Sequence, residues 1–161
     1  IAADDADVIS GSRYLDDRRC GSPPPEDRRR INAEVTALLN STLGLGLTDA
    51  FCGFKAYRVS ALPQFRLDVD GYAIPLQFWV QLAAAGLRVK EVPIRLIYTD
   101  EKRSFGGPLD DPGVRLRHYR EVFDSEVAKH PELAAKLAAS DADTPDTPTA
   151  ASAGGVRSGA A

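Results

Sequence analysis

The chain has 161 residues, of which 43% are hydrophobic and 27% charged, so it can form a packed domain and is not disordered throughout. Its 20 Lys and Arg residues against 23 Asp and Glu give a net charge of -3, which argues against nucleic acid as a partner because nucleic-acid binders carry a basic excess. No apolar run reaches the roughly 18 residues needed to cross a bilayer, so the sequence contains no predicted membrane span.

The first predicted element is a short strand at residues 7–10. Val8 and Ile9 are β-branched, and the strand is expected to enter a loop at Gly11. Residues 16–25 contain three prolines and several charged side chains, so they are predicted to form a second stretch of loop.

A helix is predicted next, from the region of Ser22, a candidate N-cap before Pro23, to about Thr42. Gly44 is expected to stop it, because glycine readily adopts the left-handed conformation that ends helices. The apolar residues of this segment recur every three or four positions, which is the spacing of one helix face. They are Ile31, Val35, Leu38, Leu39 and Leu43.

The second half of the chain continues the alternation of strands and helices. Residues 74–85 are apolar on nearly all sides and predict a buried helix that ends at Gly86. Residues 89–98 favour a strand, but Pro93 lacks a backbone donor, so this strand is expected at a sheet edge or with a bulge. An amphipathic helix is predicted at 112–129. Its apolar face consists of Leu116, Tyr119, Phe123 and Val127.

A short predicted helix at 131–139 closes the folded region. From Ser140 the composition changes, and residues 140–161 contain no aromatic side chain. Such a segment buries too little apolar surface to offset its ordering entropy, so we predict one α/β domain at 1–139 and a disordered tail at 140–161. The absence of Met and the start at Ile1 favour a fragment of a longer protein.

Three polar segments lie in predicted loops, where a rigid scaffold often positions functional side chains. They are residues 11–14 (GSRY), 48–55 (TDAFCGFK) and 103–112 (RSFGGPLDDP). The first follows a strand, and ligands of open α/β sheets bind at the carboxyl ends of strands, where an Arg can pair with phosphate. In the third, an Arg beside two glycines suits a loop that closes on phosphate.

The order of these segments resembles the C-terminal half of family-2 glycosyltransferases, closest to the dolichol- or polyprenol-phosphate mannosyltransferase type. The resemblance rests on GSRY, on the helix with Arg30, Ile31 and Asn32, on TDAFCGFKAYR and on residues 71–98, and it covers about residues 7–119. It implies the C-terminal portion of a GT-A fold, a Rossmann-like α/β sandwich. It also implies an inverting hexosyl transfer from GDP-mannose or UDP-glucose to the phosphate of a membrane polyprenol.

The resemblance further implies a divalent metal, Mg or Mn, whose Asp-x-Asp ligands are expected mainly upstream of this chain. Asp5 and Asp7 match that pattern and are the weaker alternative, since Asp7 already begins the strand into GSRY. The implied partners are a nucleotide-sugar donor, a polyprenyl-phosphate acceptor and the membrane surface. The implied location is cytoplasmic and peripheral at the membrane, which agrees with reading Cys20 and Cys52 as reduced thiols.

By the same resemblance, Ser12 and Arg13 bind the donor sugar or its diphosphate, and Arg13 also takes part in catalysis. Asp49 is expected either to orient or activate the acceptor phosphate or to cap its own turn. Arg103 and Gly106 belong to a substrate-binding loop over the pyrophosphate, which here reads RSFGGPLDD and lacks the Lys of the family pattern.

Arg30, with its neighbours Arg28 and Arg29, is expected either to meet lipid headgroups or the acceptor phosphate or to form a solvated face. Two rival functions stay open. The chain is either a non-catalytic domain that binds a nucleotide sugar or a partner, or the same fold acting on a polysaccharide or soluble acceptor. Since the resemblance assigns the nucleotide-reading half to an upstream segment, residues 1–161 alone are expected to be inactive.

Overall fold

A computed structural model describes residues 4–16, 24–95, 97 and 104–133. The strands and helices in these ranges are β1 (Val8–Ser12), α1 (Glu26–Leu43), β2 (Lys55–Tyr57), α2 (Ile74–Ala84), β3 (Val89–Pro93) and α3 (Pro112–Ala128). Short 3-10 segments occupy Val59–Gln64, Gly71–Ala73 and Gly107–Asp110. The predicted α/β class is confirmed. Residues 131–133 are helical, whereas the rest of the predicted helix at 131–139 and the predicted tail at 140–161 lie outside the described residues.

The described sheet has three strands in the order β2-β1-β3. β1 pairs antiparallel with β2, where Ser10 lies opposite Lys55, and parallel with β3, where Ser12 lies opposite Pro93. β3 is therefore an edge of this described sheet, as Pro93 predicts, but it ends at that proline instead of running to Tyr98. β2 was not predicted, because three residues are too few to show a period.

Gly11 places the central strand close to its neighbours. A Cβ atom there would lie 3.1 Å from two carbons of Ile94 and 3.2 Å from Sγ of Cys52. Both distances are tighter than ordinary contacts, so only glycine lets the strand carry Ser12 and Arg13 past this point without displacing Cys52.

Helix α1 begins at Glu26, with Pro25 as its N-cap residue and no side-chain cap hydrogen bond, rather than near Ser22. The physical reason is the run of three prolines at 23–25, because each proline disfavours the helical conformation of the residue before it. The helix ends as predicted at Gly44, which has a φ of 65° and donates its N–H to the Asn40 carbonyl at 2.9 Å.

One hydrophobic core joins the three helices to the sheet. The predicted apolar face of α1 is confirmed, and α2 is buried on most sides around Trp79, which is 0% exposed. The Trp79 indole donates to the Ala50 carbonyl at 2.8 Å, which ties α2 to the loop after α1. In the described ranges, no helix combines the length and the apolar character needed to cross a membrane.

Two charged side chains of α3 are buried although the periodicity did not single them out. Arg115 donates to the Asp27 carboxylate at 2.6 Å and to the Leu109 carbonyl at 2.8 Å. Glu126 accepts hydrogen bonds from the amides of Gln77 and Gln81 on α2. Glu126 also pairs with Lys129 at 2.7 Å, directly after α3. Buried charges are tolerated when they are paired and hydrogen-bonded in this way.

The N-terminus of α3 is capped by Asp111, whose Oδ1 accepts the Val114 N–H at 2.8 Å. We expect Asp111→Ala to lower the free energy of unfolding by about 1 kcal/mol, because a helix donor loses its partner. Urea unfolding of the chain measures this. Asp111→Asn keeps an acceptor at the same place and should unfold like the wild type; an equal loss in both variants would contradict the cap assignment.

Candidate functional site

The carboxyl end of β1 presents Arg13, and Asp49 in the loop after α1 holds its guanidinium. Nε of Arg13 donates to Oδ2 of Asp49 at 2.6 Å, and Nη2 donates to Oδ1 at 2.8 Å. The Arg13 backbone N–H also donates to Oδ2 at 3.1 Å. The Arg13 side chain is 22% exposed and that of Asp49 is 0% exposed, so only Arg13 of this pair is accessible from solvent.

Asp49 is enclosed by donors from two further directions. The Asn32 amide on α1 donates to Oδ1 at 2.6 Å, and the Phe51 N–H donates to the same oxygen at 3.2 Å. Burial raises the pKa of Asp49, but the hydrogen bonds and charge of Arg13 outweigh burial and lower it below its usual value. Asp49 therefore stays ionised, and the same contacts keep the pKa of Arg13 raised.

Ser12 is buried next to this pair and contacts the loop that carries Asp49. It is 1% exposed, and its hydroxyl is 2.6 Å from that of Thr48, which in turn donates to the Glu91 carboxylate at 2.6 Å. Since a hydroxyl has a single hydrogen, Ser12 donates to Thr48. Glu91 on β3 also accepts the backbone N–H groups of Thr48 and Asp49. Ser12 therefore helps to fix the loop that holds Asp49, and its contact with the donor stays a prediction.

A cavity of about 460 Å³ opens beside Arg13. Its cations are Arg13, Arg28, Lys55 and Arg115. Its aromatic lining includes Tyr14, Phe51, Tyr57, Tyr72, Phe78 and Tyr119. Burial raises the pKa of Tyr119 to about 12, so this phenol stays protonated and can donate. The cavity thus combines cationic groups with an extensive apolar wall, which suits an amphiphilic anion.

Partly exposed apolar side chains continue the lining toward solvent. Leu67 is 45% exposed, Tyr72 40% and Ile74 36%, and all three line the cavity. Exposed apolar groups grouped around a cavity mouth are typical of surfaces that contact an apolar ligand or membrane.

The loop before α3 closes another side of the cavity. The Phe105 ring packs under the Arg115 guanidinium at 4.1 Å and the Arg28 guanidinium at 4.8 Å. Gly106 does not line the cavity, and its N–H donates to Ser104 at 2.9 Å and to Asp110 at 3.2 Å. The backbone donor of Gly106 is thus occupied by side chains of its own loop, and its predicted place in a substrate-binding loop stays a prediction. Arg103 lies outside the described residues.

The predicted site residue Arg30 does not line the cavity, but two other cations do. Arg30 is exposed on α1 and does not line it, whereas Arg28, two residues earlier, does. Lys55, which no prediction singled out, also lines it. The available signal was its place in the polar TDAFCGFK segment, of which it is the only cation.

Asp5 and Asp7 lie at the opposite end of β1 from Arg13. Asp7 pairs with Arg58 and Arg88, both at 3.1 Å, and Asp5 pairs with Lys90 at 2.7 Å. Hydrogen bonds and charge from Arg88, together with a hydrogen bond from Arg58, lower the pKa of Asp7. Six residue steps along β1 separate Asp7 from Arg13, which is about 20 Å of extended backbone. The structure therefore does not support the alternative in which these two carboxylates hold a metal at the site.

Within the described ranges, no group of three or more His, Cys, Asp or Glu side chains is arranged to hold a metal ion. The carboxylates nearest the site, Asp49 and Glu91, are occupied by Arg13, Asn32 and backbone N–H groups. The residues described here do not fit a metal centre. The divalent metal stays a prediction about residues elsewhere.

Sequence comparison finds relatives among curated proteins. An undecaprenyl-phosphate mannosyltransferase of Micrococcus luteus is 29% identical over 119 residues, which are 71% of this chain and 49% of that protein. A low-salt glycan biosynthesis hexosyltransferase of Haloferax volcanii is 29% identical over 94 residues, 58% of this chain and 23% of that protein. An uncharacterised protein of Methanocaldococcus jannaschii is 29% identical over 102 residues, 62% of this chain and 42% of that protein.

The chain spans about half or less of the length of these curated relatives. No protein-family profile matches the chain. No solved structure matches it significantly. Two of the three relatives carry the names of sugar transferases.

Proposed function

We propose that this chain is part of an enzyme that transfers a hexose from a nucleotide-diphospho-sugar to a polyprenyl phosphate. The observation that carries the proposal is Arg13, fixed by Asp49 at the end of β1 and accessible to an amphiphilic cavity. A cation held in one orientation suits a phosphate or diphosphate, and the aromatic and aliphatic wall suits an isoprenoid chain. The names of the Micrococcus and Haloferax relatives support the same reaction class.

The proposed chemistry is a single displacement with inversion. A phosphate oxygen of the acceptor forms a bond to the anomeric carbon while the bond from that carbon to the diphosphate oxygen breaks. The nucleoside diphosphate leaves with the electron pair of that bond, and Arg13 offsets the charge that develops on it. The acceptor is already an anion, so no general base is required.

Of the two parts predicted for Asp49, the structural one agrees with its contacts, which include the N–H of Phe51 in its own turn. Because it is fully buried and bound to Arg13 and Asn32, we assign it as a positioning residue that orients the guanidinium. The predicted metal, Mg or Mn, would neutralise the leaving diphosphate when bound. We place its ligands outside the described residues, and we place the protein at the cytoplasmic face of a membrane.

The test is sugar transfer into lipid that partitions into organic solvent. The full-length protein, supplied with a polyprenyl phosphate and either radiolabelled GDP-mannose or UDP-glucose plus Mg or Mn, is expected to label the lipid fraction. The anomeric configuration of the product reports inversion. Donor binding without any transfer to lipid or polysaccharide would favour the rival reading as a non-catalytic binding domain. Label in a polysaccharide instead of lipid would favour the other acceptor class.

Residues 1–161 alone are expected to show no transfer and, at most, weak nucleotide binding that does not depend on metal. The reason is that two of the four cavity cations, Arg13 and Arg115, are already paired with carboxylates, so the cavity does not balance a diphosphate without its metal. Titration of the chain with GDP-mannose and UDP-glucose, with and without Mg or Mn, measures this. Tight binding that requires the metal would contradict the expectation and return Asp5 and Asp7 to consideration.

A further inference from the structure

Lys55 is a cavity cation whose surroundings differ from those of its neighbours. Arg13 pairs with Asp49, and Arg115 pairs with Asp27. Lys55 forms no ion pair with any carboxylate in the part of the chain that the structure describes. Its ammonium donates to the Cys52 carbonyl.

Two aromatic rings of α2 hold this ammonium in place. Nζ of Lys55 lies 4.9 Å from the ring centroid of Trp79 and 5.7 Å from that of Phe78. Such cation–π contacts favour the charged form and orient the group without consuming its hydrogen bonds. An ammonium has three N–H donors, and the Cys52 carbonyl accounts for one of them.

The partly buried position of Lys55 disfavours the protonated form of its amine. Burial lowers its pKa, and the charge of Arg13 acts in the same direction, whereas Asp49 and Glu91 act only through space in the opposite one. A half-buried cation without a direct anionic partner reduces stability, and groups that reduce stability in this way are concentrated at binding sites. An anion bound in the cavity would give the Lys55 ammonium the direct partner that it lacks among the described residues.

We propose that Lys55 binds a phosphate group of the ligand that occupies the cavity, as a second cation beside Arg13. The chemical class of that ligand rests on the function proposed above. Two sources of phosphate are available in that reaction, the isoprenoid phosphate acceptor and the nucleoside diphosphate. The experiment separates them.

The probes are geranyl phosphate, GDP and geraniol, titrated into the 161-residue chain. Trp79 is the sole tryptophan, and it lies beside Lys55, so its emission reports occupancy of this part of the cavity. Calorimetry provides the dissociation constants independently. Geranyl phosphate and geraniol differ only in the phosphate, so their comparison isolates the anion.

The test variant is Lys55→Gln, and Lys55→Arg restores the charge. We expect Lys55→Gln to weaken binding of one phosphate probe about tenfold or more, while geraniol binding is unchanged and the melting temperature is equal or higher. Lys55→Arg should recover most of the lost affinity. The phosphate probe that responds, geranyl phosphate or GDP, identifies the source. The matched control is Lys90→Gln, an exposed lysine paired with Asp5 at the far end of the sheet.

Three results would overturn the proposal. The first is unchanged affinity for both phosphate probes in Lys55→Gln, or no binding of either probe by the wild-type chain. The second is an equal loss of geraniol binding, which would mean that Lys55 only shapes the cavity wall. The third is an equal loss in Lys90→Gln. Failure of lipid labelling by the full-length protein, with Lys55-dependent phosphate binding intact, would reject the proposed reaction and leave this inference standing.

Discussion

Arg13→Ala in the full-length protein is expected to lower turnover by about 2–4 kcal/mol of transition-state stabilisation, the size found when one fixed donor to a developing oxyanion is removed. The physical reason is the double hydrogen bond to Asp49, which fixes the orientation of the guanidinium before any ligand arrives. Steady-state transfer rates into lipid at saturating donor measure the effect.

The same substitution leaves the Asp49 carboxylate buried without its cation and can therefore destabilise the fold. A loss of turnover from unfolding has to be distinguished from a loss of catalysis. Arg13→Lys keeps the charge but loses the two-point geometry, and it should fold while transferring slowly. Arg120→Ala removes an exposed arginine that pairs with Glu34, and it should leave turnover unchanged. A wild-type rate in Arg13→Lys together with Arg13→Ala would remove Arg13 from the catalytic machinery.

Asp49→Ala is expected to lower the free energy of unfolding of the chain by about 3 kcal/mol, because breaking a buried ion pair leaves its partners unsatisfied. The partners are the Arg13 guanidinium and the Asn32 amide, both of which donate to the carboxylate. Urea unfolding measures the loss. Asp124→Ala, at an exposed position of α3, should stay close to the wild type.

Asp49 also predicts a pH dependence of stability. Its pKa is lower in the folded chain than its ordinary value of 3.8, so the unfolded chain binds this proton at a higher pH. The stability that the ionised carboxylate contributes is therefore complete above the ordinary value and is lost as the pH falls below it. Asp49→Asn should show a smaller decrease of unfolding free energy than the wild type between about pH 5 and pH 3. Parallel curves for the two proteins would contradict the assignment.

The buried pair agrees with the positioning role that we propose for Asp49. A carboxylate facing the cavity would repel an incoming phosphate, whereas beneath the guanidinium it orients the cation while the Arg13 side chain stays partly accessible. Lys55 presents the alternative arrangement, in which aromatic faces hold a cation and leave it without a carboxylate partner among the described residues. On this basis the two cations would bind an anion in different ways. Arg13 would present a planar fork of donors, whereas Lys55 would act as a point charge.

The sequence by itself determined the features that depend on neighbours along the chain. The period of Ile31, Val35 and Leu39 defined the buried face of α1, because helical spacing is a local property. Gly44 marked the helix end through its left-handed conformation, and Pro93 marked a sheet edge because it has no backbone donor. The segment around Arg13 was singled out for a similar reason, since it follows a strand.

Only the tertiary structure decided which polar groups meet. Asp49 is 36 positions from Arg13 and 17 from Asn32, and Glu91 is 43 positions from Thr48, so no local pattern pairs them. Burial also decided what Asp49 contacts, because its carboxylate has no exposed surface and both of its oxygens accept hydrogen bonds inside the protein. Lys55 entered the site for the same reason: its ammonium is placed by rings of α2 that are distant in sequence and adjacent only after the core has packed.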